Sequence, residues 1–152
     1  MEKLKLRQLV EYLEDIETFE EPKEHYEQYQ TTPQIAAEML HYISDREDFY
    51  GSHVIDLGCG TGILGIAAAL CGAGFVTLVE IDEDAIEIAK RNIEHFELTN
   101  VNIIHMDVNT IPESFYGRFD YVLTNPPFGI RSEKSADVAF LKVAINVYHI
   151  FL

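Results

Sequence analysis

The sequence predicts a doubly wound α/β domain, a parallel β-sheet with helices on both faces, and three observations carry the expectation. Short β-branched runs recur at Val54 to Leu57, Phe75 to Glu80, Val101 to His105 and Phe119 to Thr124, reading as buried strands. Helical segments, Ile63 to Leu70 and Asp84 to Phe96, separate the first three. Strands alternating with helices imply right-handed crossovers and hence parallel pairing. A glycine-rich turn follows the first strand directly, where folds of this class receive their ligands.

The elements follow in order. Leu6, Leu9, Val10, Leu13 and Ile16 recur at helical spacing, so the first sixteen residues read as an amphipathic helix packed on the domain as an extra. Glu20 to Gln30 is charged and aromatic without a period and contains Pro22, a loop. Thr31 and Thr32 precede Pro33, with Gln34 three residues after Thr31. That pattern starts a helix running to about Ser44, because a hydroxyl caps free amides and proline fits the first turn. The connection Asp107 to Arg118 contains Pro112 and reads as mostly loop. A last helix spans about Ser135 to Ala144, and the apolar Val147 to Leu152 reads as a fifth strand. The expected organisation is one domain, with a helical extension over residues 1–45 and a core over 53–152. The core is expected to be incomplete at its C-terminus, since a sheet of this class carries more strands.

The 152 residues, 47% of them hydrophobic, can bury a real core and exclude a disordered chain. The longest uncharged apolar stretch, Gly62 to Val79, is broken by Gly72, Ala73 and Gly74 and lacks basic flanks, so no membrane segment is expected. Cys59 and Cys71 lie twelve apart without a CxxC pair, which supports neither a disulfide framework nor a metal site and points to a reducing interior. A net charge of −15 argues against phosphate-backbone binding by most of the surface. The acid is uneven. Residues 1 to 50 carry 13 acidic and 5 basic side chains, whereas from Asn125 onward Arg131, Lys134 and Lys142 face only Glu133 and Asp137. A nucleic acid is expected at that end, or held partly by another protein.

Three motifs fall at carboxyl ends of strands. In Asp56-Leu57-Gly58-Cys59-Gly60-Thr61-Gly62 the glycines let the backbone turn sharply and approach a ligand, and Asp56 suits a ligand bearing an ammonium group. Gly60, Gly62 and Gly65 also satisfy the dinucleotide fingerprint, but an acid there is awkward for a pyrophosphate. Glu80 ends the second strand, where an acid accepts ribose hydroxyls and Ile81 lies against an adenine face; Asp82, Glu83 and Asp84 instead offset and cap a helix N-terminus. Asp107, after the third strand, is a partner for an adenine amino group or a turn former. The third motif, Asn125-Pro126-Pro127-Phe128, follows the fourth strand. Its prolines stiffen the loop and remove two donors, leaving carbonyls as acceptors, while Asn125 adds a side-chain carbonyl and Phe128 a stacking surface. The loop is an acceptor site for a planar amino substrate. His25, His105 and Cys59 read as packed or surface side chains without a catalytic role.

On these residues the chain resembles the class I S-adenosylmethionine-dependent methyltransferases, Rossmann-like enzymes, and among them the amino methyltransferases with an NPPF or NPPY tetrad. Glu27 to Thr31, Asp56 to Gly62, Asp82 to Ala85, Phe96 to Asn100, Asn125 to Gly129 and Ala139 to Lys142 are similar to the small-subunit rRNA adenine methyltransferases of eukaryotes and archaea. The resemblance implies methyl transfer from S-adenosyl-L-methionine to the 6-amino group of an adenine in ribosomal RNA. It implies that Gln28, Thr31, Gly58, Thr61, Ile63, Glu80, Asp107 and Val108 contact the cofactor and that Asn125, Pro126, Pro127 and Phe128 hold the adenine. It further implies a cytoplasmic or nuclear protein assisted by a small zinc-containing methyltransferase activator. Glu80 stands where aspartate is more usual, and the basic C-terminal region of those enzymes has no counterpart here. Two other readings use the same residues: a glutamine-amide methyltransferase acting on protein, and a cofactor-binding subunit without activity.

Overall fold

A computed structural model describes residues 3–19, 31–125 and 136–148. The elements in chain order are α1 (Leu6–Leu13), α2 (Pro33–Ile43), β1 (His53–Leu57), α3 (Ile63–Leu70), β2 (Phe75–Glu80), α4 (Glu83–His95), β3 (Val101–His105), β4 (Tyr121–Thr124) and α5 (Ala136–Val147). Two single 3-10 turns, Val108–Thr110 and Glu113–Phe115, occupy the connection between β3 and β4.

The four strands form one parallel sheet in the order β3-β2-β1-β4. The chain winds outward from β1 through β2 to β3, then returns to pair β4 on the other side of β1. The carboxyl ends of β1 and β4 therefore flank the point where the strand order reverses, the position at which open α/β sheets leave a crevice. Strand side chains alternate between the faces. Val54, Val76 and Leu78 join Leu9, Leu13, Ala36, Leu40 and Ile66 in the core beneath α1, α2 and α3. Ile55, Leu57 and Val79 face the other way, onto Val108, Ile111, Phe119 and Val147. The same parity puts Asp56 under α3.

Local signals explain most boundaries. Thr32 caps α2, its hydroxyl accepting from the Ile35 amide at 3.2 Å, with Pro33 in the first turn. Asp82 caps α4 by accepting from the Asp84 amide, and Glu83 and Asp84 sit in the first turn, opposite the helix dipole.

Three expectations are corrected. The first helix spans Leu6–Leu13 and not sixteen residues: past Leu13 the bonding tightens to Asp15 N–H on Tyr12 and Ile16 N–H on Leu13, although Ile16 stays buried. The fourth strand starts at Tyr121. Its predecessor Asp120 turns to accept the His53 amide on its carboxylate and to donate its own amide to the His53 carbonyl, both at 2.8 Å, and this leaves Phe119 in a lone parallel bridge to Tyr148. Val147 closes α5, fully buried against Ile55, Leu57 and Val79 with the Tyr148 amide still bonding Ala144, so the expected tail strand starts no earlier than Tyr148, which bridges Phe119 in parallel. The loop expected over Glu20 to Gln30 and the rest of the tail lie outside the described residues.

One tight approach sets the start of β2. A Cβ on Gly74 would stand 2.4 Å from the Gly51 carbonyl oxygen, a backbone atom that cannot step aside, whereas Gly117, at φ +68°, has open space around it. Gly74→Ala is expected to destabilise by about 1 to 3 kcal/mol through overpacking, and Gly117→Ala by about 1 kcal/mol through its left-handed backbone alone. Urea unfolding midpoints check the ranking; a smaller loss at Gly74 than at Gly117 contradicts it.

Candidate active site

The loop after β1 carries the site. Gly58, Gly60 and Gly62 all have left-handed φ, at +70°, +58° and +96°, so alternate residues take a conformation that a Cβ disfavours. The loop is tied to the end of β2. The Gly58 and Cys59 amides both donate to the Val79 carbonyl, at 2.8 and 2.9 Å, and the Gly60 amide donates to Glu80 Oε1 at 2.7 Å. Glu80 Oε2 accepts from the amides of Ile81 and Asp82 at 2.9 and 3.0 Å. Three of the carboxylate's roughly four acceptor positions are thus met by backbone. Glu80 shapes the loop before it meets any ligand. Ile81 beside it is exposed, as a surface for a planar ring requires.

Asp56 acts beneath the loop and not at its mouth. It is 1% exposed, and its Oδ2 accepts from the Gly65 amide at 3.1 Å in the first turns of α3. Gly65 is required by the packing of α3 on β2: a Cβ there would fall 2.2 Å from Leu78 Cδ2, while Asp56 Oδ2 at 3.4 Å would be in near-ordinary contact. Burial pushes the Asp56 carboxyl up to about 7, against the Gly65 hydrogen bond and with a smaller push from the Glu80 charge. Cys59 is buried, and burial foremost, with both carboxylates adding, raises its thiol well above the ordinary range, which leaves it a wall residue.

The other sequence-predicted residues take these places. Ile63 is buried at the start of α3. Thr61 is also buried, and its hydroxyl has no hydrogen-bond partner among the described residues. Asp107 caps the 3-10 turn, its Oδ1 accepting from the Asn109 amide at 2.9 Å, while the Val108 side chain is buried among Ile55, Leu57 and Val79. Asn125 follows β4, whose Thr124 hydroxyl donates to the Leu57 carbonyl at 3.0 Å. The Asn125 amide nitrogen donates to the Thr31 hydroxyl at 3.2 Å, so two predicted residues 94 positions apart meet directly. Gln28, Pro126, Pro127 and Phe128 lie outside the described residues, as do His25, Arg131 and Lys134. His105 is exposed, with Nε2 2.9 Å from the Ile81 carbonyl.

Sequence reasoning missed Asn92 and Phe19. Asn92 lies on the buried stripe of α4 with Ala85, Ile88 and Ala89, and its amide reaches the Thr61 carbonyl at 2.9 Å. A polar residue at an apolar position of the helical period was the available signal.

The profile of the methyltransferase small domain matches residues 33–148. The chain is 43% identical over 145 residues to the rRNA N(6)-adenosine-methyltransferase METTL5 of Danio rerio, covering 95% of this chain and 70% of that protein. It is 44% identical over 149 residues to the enzyme of the same name from Drosophila melanogaster, covering 97% and 70%. The crystal structure of PH1948 from Pyrococcus horikoshii, a candidate RNA methyltransferase, superposes with a TM-score of 0.83 at 35% identity over 94% of this chain and 69% of that one.

The buried Asp56 gives a pH signature. A folded-state value near 7 against 3.8 for the ordinary carboxyl means that Asp56 favours folding most below about pH 4, and that this contribution fades as pH rises to 7. Asp56→Asn keeps an acceptor for the Gly65 amide and removes the titration. Relative to the parent, the variant is expected to gain stability progressively between pH 4 and 7, by an amount on the order of a few kcal/mol, and then to level off. Urea midpoints of both proteins at unit pH steps check this; a constant difference across the range refutes it.

Proposed function

The chain belongs to the methyltransferase small domain family, and from that premise we propose that it transfers a methyl group from S-adenosyl-L-methionine to the 6-amino group of an adenine in small-subunit ribosomal RNA. The observation that carries the reading is the seat of Asn125 at the carboxyl end of β4, held by Thr31, across the switch point from the glycine loop of β1.

The residues present fit the cofactor. The buried Thr61 hydroxyl lacks a protein partner among the described residues and offers a donor or acceptor at the loop. Among the described residues Glu80 has an acceptor position left after its three backbone bonds, which suits a ribose hydroxyl, and exposed Ile81 suits the adenine ring. When bound, S-adenosylmethionine supplies an electrophilic sulfonium methyl. The chain's own contribution is to position the amine. An adenine amino nitrogen is a poor nucleophile because its lone pair is delocalised into the ring. The Asn125 carbonyl, accepting one amino hydrogen, favours a pyramidal nitrogen with its lone pair directed outward. By the resemblance, the Pro126 carbonyl accepts the other hydrogen and Phe128 stacks on the base. Positioning of this kind can supply several kcal/mol, roughly, of the acceleration. The proton leaves a cationic product amine acidic enough to lose it to water, so no side chain is assigned as base.

Substrate binding sets a further demand. The net charge of −15 opposes RNA, and Lys142 is the described basic residue at the C-terminal end, exposed on α5. Among the described residues β3 is an edge strand, paired only with β2, and an open edge can take a strand from another chain. We propose that a small zinc-containing activator pairs with this protein and supplies the missing affinity. The full-length enzyme with activator is expected to turn over ribosomal RNA faster and to be more soluble than without it. Equal rates and solubility remove the partner from this reading.

Two substitutions separate substrate from cofactor. Asn125→Ala is expected to lower kcat by at least about 10²-fold, the scale seen when one aimed polar group is removed, with cofactor affinity little changed. Glu80→Ala is expected to weaken cofactor binding by about 1 to 3 kcal/mol, the range for an unmatched charged hydrogen bond. Calorimetric titration beside single-turnover methyl transfer checks both, and undiminished transfer by the Asn125 variant would falsify the assignment of that residue.

A further inference from the structure

Asn92 is 2% exposed, and burying an amide is unfavourable unless its hydrogen bonds are made. Here they are made to two remote pieces of backbone at once. Nδ2 donates to the Thr61 carbonyl at 2.9 Å and to the Glu17 carbonyl at 3.1 Å, and Oδ1 accepts from the Glu17 amide at 2.9 Å. The Glu17 side chain adds a second tie: its Oε2 accepts from Arg91 Nε and Nη2 at 3.1 and 2.9 Å. Residues 17–19 belong to no helix or strand. They are nonetheless fastened to α4 and, through the same amide, to the glycine loop. The consequence is the place of Phe19. Its ring lies so close to the loop that a Cβ on Gly60 would stand 3.2 Å from Phe19 Cζ, and the ring is only half-buried. Gly60 is also the residue whose amide engages Glu80.

We infer that residues 17–19 are a cover on the cofactor loop, with Phe19 as an apolar wall against the cofactor where it crosses Gly60 and Asn92 as the positioning residue that holds the wall in place. The inference rests on the cofactor reading above. Loop and cover share one buried amide, so the ligand meets a site whose wall is already ordered, and the ordering cost that would otherwise weaken binding has been met in folding.

The test is calorimetric titration of the full-length protein and its variants with S-adenosylmethionine, at a temperature where each is folded by circular dichroism, with thermal midpoints in parallel. Phe19→Ala is expected to weaken binding about tenfold, and Phe19→Leu, which restores an apolar wall, to recover most of the loss. Asn92→Asp sets a carboxylate against two carbonyls and is expected to weaken binding at least as much. If that variant does not fold, Phe19→Ala against Phe19→Leu decides alone. A parent that binds while Phe19→Ala binds within twofold of it, whatever the thermal midpoints do, overturns the cover and leaves the function intact. A parent that does not bind overturns the cofactor reading, and the cover falls with it.

Discussion

The candidate site depends on the fastening of one loop to the end of one strand. The β1 loop spends its first two amides on the Val79 carbonyl and its third on the Glu80 carboxylate. Those bonds hold three residues with left-handed φ in a fixed curve. Everything else about the site is arranged around that curve: α3 starts from Gly62, Asp56 sits below it, Phe19 lies on it, and Asn92 binds its far side at Thr61. A carboxylate accepting three backbone amides is a strong local fixture, because charge-assisted bonds exceed neutral ones.

Two acids beside one loop carry different work, and their depth along the sheet divides it. Asp56 faces α3 from the middle of the β1 register, opposite Leu78, so close packing buries it and favours its neutral form. Glu80 stands at the end of β2, beyond the last pair of β1 with β2, where backbone amides converge on it. Two positions of register, from Leu78 to Glu80, thus separate a carboxyl suited to packing from one suited to holding backbone and ligand.

The N-terminal extension has its role through the same loop. α1 and α2 contribute Leu9, Leu13, Ala36, Ala37 and Leu40 to the core over α3. Their flanking residues then reach the site from two sides, Glu17 and Phe19 after α1 and Thr31 before α2. The apolar stripe anchors the extension, and its ends line the crevice.

The sequence by itself determined what rests on local pattern. Alternating β-branched runs and caps such as Thr32 and Asp82 set α2, α4 and the four strands to within a residue or two, because hydrophobic periodicity and orphan helix amides are short-range constraints, while the bounds of the two terminal helices missed by three or more. The glycine spacing of the loop and the position of Glu80 were legible for the same reason, each being a backbone requirement at a strand end. Tertiary structure decided what depends on pairing across distance. It shortened β4 through Asp120 and His53, kept Val147 in a helix by burying it under the sheet, turned Asp56 inward, joined Asn125 to Thr31, and gave Asn92 its partners in Glu17 and Thr61. No pattern along the chain reveals such partners, because a buried polar group is satisfied by whatever backbone the fold brings to it, and only the packed fold decides which segment that is.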